Sequence, residues 1–129
     1  MKNLLLFTVF IAVSTFANAQ NNKVVTAFNY HKYYTERGGK LDDLMNAQEA
    51  IDEAILHPQT MENAKTWYYR GKIYHSMVES KEASFVENKS KNLEETVRSY
   101  LKMLELDSKK EYSKEVEQRI AVAQIQYLN

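Results

Sequence analysis

Residues Ala64–Tyr74 read AKTWYYRGKIY, and nowhere else in the 129-residue chain do aromatic bulk, an internal glycine and helical spacing coincide. Trp67, Gly71 and Tyr74 stand at i, i+4 and i+7, on one face of a helix. A glycine inside a helix costs about 1 kcal/mol relative to alanine unless its missing side chain is used. A second helix crossing closely at Gly71 is such a use, so this stretch predicts one member of a tightly packed helix pair.

Working outward, the central helix is expected from about Met61 to at least Val78. Thr60 serves as its N-cap, and Ala64, Trp67, Tyr68, Gly71, Tyr74 and Val78 lie on its packed side. Upstream, Leu44, Ala47, Ile51, Ala54 and Ile55 form an apolar stripe in a helix from about Leu41 to His57. Asp42 and Asp43 suit its N-terminal dipole, and Pro58 is expected to stop it. An earlier helix, about Lys23 to Arg37, ends at Gly38-Gly39, two residues able to take positive φ. Downstream, SKEASFVENKSKN (residues 80–92) has the composition of a solvated excursion or of an extension of the central helix. Another helix is expected to begin near Asn92, with Glu95 completing a capping box. Its apolar residues are Leu93, Val97, Tyr100, Leu101 and Leu104. A last helix, about Ser113 to Leu128, sets Val116, Ile120, Ala123 and Tyr127 on one face and charges on the other.

With a 34-residue register starting at Ala64, Trp67, Gly71 and Tyr74 occupy the fourth, eighth and eleventh places. This resembles the first helix of a tetratricopeptide repeat, W-x2-L-G-x2-Y, with Arg70 where leucine is usual. Ala47, Ile51 and Ala54 resemble the small, large, small triplet of a second helix, with Pro58 one place early and His31 where glycine would stand. In the second repeat Met103 is the counterpart of Ala54, and Tyr100 packs beside it. Met103–Ser108, MLELDS, resembles the A-L-E-L-D-P close of a repeat. The resemblance implies an all-α fold: two antiparallel helix hairpins stacked as a short solenoid, with the last helix as a cap.

Composition bounds the rest. With 44% hydrophobic and 26% charged residues the chain is globular, with room for one domain. MKNLLLFTVFIAVSTFANAQ (residues 1–20) has a charge at Lys2, an apolar run and Ala17-x-Ala19, the pattern of a secretory signal peptide over residues 1–19. The run is shorter than the roughly 20 apolar residues of a membrane span, so no insertion is expected after cleavage. Removing Lys2 leaves 16 basic residues of the 17, against 17 acidic, a formal charge of −1. That balance argues against nucleic-acid binding. With no cysteine, disulfides and thiolate metal sites are excluded, and the exported domain, residues 20–129, must be held by its core alone. A periplasmic or extracellular location is expected.

No catalytic constellation is readable. His31, His57 and His75 never fall at i, i+4, so no metal is expected. Tyr68 and Lys72 match a dehydrogenase spacing but lack the glycine-rich strand-to-helix turn that chemistry needs. Asn88-Lys89-Ser90 forms a glycosylation triplet without further context. Most carboxylates alternate with lysines as solvated pairs, and Tyr30, Tyr34, Tyr74, Tyr100 and Tyr127 read as packing residues. No cofactor is expected, and the chain reads as a non-catalytic scaffold, with self-assembly as the alternative.

The resemblance also implies a binding face, because in this family the ninth place of each first helix points into the groove. That place falls on Lys32, Lys72 and Arg119, a column of cations, with Lys65, Tyr68, Tyr69 and His75 around Lys72. Such a surface suits an acidic or C-terminal carboxylate segment of a protein partner.

Overall fold

The computed structural model describes residues 22–128, and every regular element among them is a helix. The expected leader and its cleavage point lie outside the described residues. The helices are α1 (residues 22–36), α2 (Leu41–Ala54), α3 (Pro58–Met61), α4 (Ala64–Glu79), α5 (Ala83–Glu87), α6 (Lys89–Leu106) and α7 (Ser113–Leu128). They pack against one another in an all-α, repeat-like fold, the fold class expected from the sequence.

The central helix α4 packs on α6 most extensively and on α2 at its other side. Gly71 is buried at the α4–α6 seam, where a Cβ would collide with the ring of Tyr100, itself without solvent exposure. Tyr68, Tyr100, Met103 and Val116 make one apolar cluster, with Trp67 half-buried against it. Trp67 Nε1 donates to the carbonyl of Met61 at 2.7 Å. A second cluster joins Val24 and Ala27 of α1 to Leu44, Ala47, Ala50, Ile51 and Ala54 of α2, and to Ile73, Tyr74 and Met77 of α4. A third, Val78, Leu93 and Ala123, seats α7 on α4 and α6.

Turn chemistry decides where the helices end, and here several expectations are corrected. Gly38 and Gly39 have φ of 101° and 66°, the left-handed region that side chains resist, and they end α1 as expected. Pro58 does not terminate α2, which already ends at Ala54; it opens α3 from the first helical position, where a missing N–H costs nothing. Thr60 does not cap α4 but is buried, its hydroxyl donating to the carbonyl of Ala54. The N-cap is Asn63, whose Oδ1 accepts the N–H of Lys65 at 3.0 Å.

The polar stretch after α4 is not wholly solvated, since it folds into α5 and buries Phe85 in the α1–α2–α4 core. No Asn92/Glu95 capping box forms, because α6 starts at Lys89 and Glu95 is drawn to Arg70 instead. Leu101 and Tyr127, expected on packed faces, are 55% and 68% exposed. Between α6 and α7, Asp107 accepts the N–H groups of Glu111 (3.1 Å) and Tyr112 (2.9 Å) and the Ser113 hydroxyl (2.9 Å). Burial disfavours the charge of Asp107, but those three donors outweigh it and hold the carboxyl below its usual range.

Arg70, the departure from the repeat pattern, is buried between three helices. Its Nε donates to Asp52 of α2 at 2.9 Å, and its Nη1 to Glu95 and Ser99 of α6, both at 2.8 Å. Tyr74 donates to the other oxygen of Asp52 at 2.7 Å and accepts from Gln48 at 3.1 Å. Burial and the Asp52 bond push this phenol up to about 12.

Candidate functional site

Three helices far apart in sequence frame a groove of about 520 Å³. From α1 come Phe28, His31, Lys32, Thr35 and Glu36, the first four on one helical face at i, i+3, i+4 and i+7; from α4 come Tyr69, Lys72, His75, Ser76 and Glu79; from α7 comes Arg119, so the cations share the groove with two carboxylates. Phe28 and Tyr69 place their rings 5.1 Å apart along one wall, which gives the groove an apolar strip beside its cations.

His31 Nε2 lies 2.8 Å from the Ser76 hydroxyl, tying α1 to α4. Burial pushes the imidazole down to about 4, and the charges of Lys72 and Arg119 push the same way, so it is neutral near pH 7. Lys72 is lowered by burial first and then by Arg119, against an opposing pull from Glu115. Its ammonium stands 5.1 Å over the Tyr68 ring and, among the described residues, makes no ion pair. A desolvated, unpaired cation over an aromatic face is electrostatically primed for an anion.

The other two cations are partly matched. Arg119 Nε donates to Glu115 at 2.8 Å, and Glu115 also accepts the Tyr68 hydroxyl at 2.8 Å. Lys32 lies 4.0 Å from Glu36 with both side chains exposed, a contact worth little in water.

Of the seven residues placed on the binding face from sequence, Lys32, Tyr69, Lys72, His75 and Arg119 line this groove. His75, however, is buried, its Nε2 3.0 Å from Gln126 Oε1 of α7, so it supports the wall rather than projecting from it. Tyr68 is likewise buried under Lys72 and bonded to Glu115, a part of the core rather than of the contact surface. Lys65 is exposed outside the groove, 5.7 Å over the Tyr69 ring. The sequence reading missed Phe28, His31 and Ser76. Phe28, His31 and Thr35 share a face with Lys32, and that spacing was a usable signal once Lys32 had been oriented.

A histidine on a serine hydroxyl has the geometry of a base and a nucleophile. Ser76, though, sits in the last turn of α4, where the backbone N–H groups around it are already used in the helix, and no acid orients His31 among the described residues. Nor does any group of three His, Asp or Glu side chains suited to a metal occur among the described residues. No helix there is long and apolar enough to cross a membrane.

The chain matches no family model, and no match was found among curated proteins or solved structures.

Proposed function

We propose that this chain is an exported, non-catalytic binding module of the tetratricopeptide type, which holds an acidic or carboxylate-terminated segment of a partner protein between α1, α4 and α7. The observation that carries this reading is Lys72, half-buried and, among the described residues, without an ion pair, in a groove that also presents Arg119, Lys32 and the Phe28–Tyr69 wall; the groove carboxylates Glu36 and Glu79 stand toward Lys32 and His75. A charge-assisted contact at such a place is worth about 1–3 kcal/mol, whereas an exposed lysine contributes almost nothing. Residues 1–19 supply the export signal in this reading.

The test is affinity capture from an envelope extract with the chain as bait. Lys72→Glu lowers capture about tenfold or more at an unchanged melting temperature, and salt weakens the wild type in the same way. Lys65→Glu, outside the groove, leaves capture intact. Equal capture by the wild type and a folded Lys72→Glu variant discards this face.

A further inference from the structure

A second surface lies on the far side of α6, remote from Lys72. Here α6 and α7 enclose an open groove of about 1070 Å³, lined by Leu93, Val97 and Leu101 and by Ala123, Tyr127 and Leu128. Leu101, Tyr127 and Leu128 are 55%, 68% and 84% exposed. One such residue would be unremarkable, but several around one groove mark a surface that is covered in use.

The rim says what covers it. Along α6 the charged rim residues are Lys91, Glu94, Arg98, Lys102 and Glu105, at successive spacings of three, four, four and three, which keeps them on one face. Reversed about Arg98, this pattern maps each charge onto its opposite: Lys91 onto Glu105, and Glu94 onto Lys102. A parallel copy would set like against like, and an unrelated helix would have no reason to match. Arg98 meets itself at the centre with its charge already matched, because it lies 3.0 Å from Glu94 and 3.5 Å from Glu95; Lys102 and Glu105 pair at 3.0 Å within one copy and exchange partners across the axis.

We propose that a second copy of this chain covers the face, its α6 antiparallel to the first across a twofold axis at Arg98. Such an interface is isologous, each copy giving and receiving the same contacts, and Leu101, Tyr127 and Leu128 are then removed from water together.

Light scattering across a concentration series tests this on the full chain, which is expected to shift from one-chain to two-chain mass. Lys91→Glu with Lys102→Glu, and separately Glu94→Lys with Glu105→Lys, each weaken self-association at least tenfold, and mixing the two variants restores the dimer. All four positions lie on the α6 rim, so helicity by circular dichroism stays unchanged. Since the chain has no cysteine, Arg98→Cys forms one disulfide on oxidation, linking two copies at the axis. A folded chain that stays monomeric at every concentration overturns the proposal and leaves the groove to a foreign helix. So does a dimer in which both charge variants pair with themselves as well as the wild type does, or in which Arg98→Cys fails to cross-link.

Discussion

Gly71 shows how one missing methyl group sets a helix crossing. A Cβ there meets the Tyr100 ring, with Cζ at 2.9 Å and two other ring atoms closer still, and Tyr100 has no exposure through which to retreat. Alanine is the better helix former by about 1 kcal/mol, so propensity and packing pull in opposite directions. Overpacking a tight seam costs about 1–3 kcal/mol, and leucine in place of glycine lies at the upper end or beyond. Gly71→Ala is therefore expected to lower the melting temperature by several degrees, at about 4–8 °C per kcal/mol in a domain of this size, and Gly71→Leu by more. A thermal melt showing Gly71→Ala stabilised would mean that the seam yields and that propensity wins.

Between elements the decisive group is Arg70, which the repeat resemblance marked only as a departure. It joins α2, α4 and α6 through Asp52, Glu95 and Ser99, so the helices are tied by charge as well as by apolar contact. Arg70→Leu installs the leucine of the tetratricopeptide pattern yet leaves Glu95, 17% exposed, without its buried cation and with the exposed Arg98 at 3.5 Å in its place. Removing one partner of a buried pair costs about 3–5 kcal/mol, and the one-third exposure of Asp52 moves this case to the lower end. Chemical denaturation is expected to show a loss of about 3 kcal/mol, part of it recovered when Glu95→Leu is added. An unchanged midpoint would make the network dispensable. The same residues explain what was legible in the sequence at this scale. The existence of α2, α4, α6 and α7 follows from the 3.6-residue period, but the start of α6 does not, because Glu95 is claimed by a residue on another helix. Nor does α5, whose one core residue, Phe85, sits in a polar run that carries no period at all.

For the molecule as a whole, the groove between α1, α4 and α7 was half legible. Lys32, Lys72 and Arg119, singled out through the repeat resemblance, all line it. The resemblance could not report the His31–Ser76 contact, made between distant helices, nor that Tyr68 and His75 turn inward to Glu115 and Gln126. The His31 contact gives the fold an acid sensitivity of definite sign. Unfolded, the imidazole takes a proton near 6.5; folded, burial with Lys72 and Arg119 beside it delays this to about 4. Its contribution to stability is thus complete above about pH 6.5, falls as pH drops toward 4 and is flat below. Melting temperatures followed over that range are expected to fall less steeply for His31→Gln, whose amide can keep the bond to Ser76; parallel curves would assign the acid loss to carboxylates alone. The placement of this site has one more consequence. Its walls come from α1, α4 and α7, so under the proposed function a partner segment would be retained only while α1 and α7 both stay docked on α4. Terminal helices are where local opening is cheapest, and a ligand at a hundred times its Kd adds about 2.7 kcal/mol to the state that binds it. Under the proposed function, occupancy would therefore act as a splint that holds α1 and α7 against local opening, and proteolysis within either helix would slow while the partner is in place.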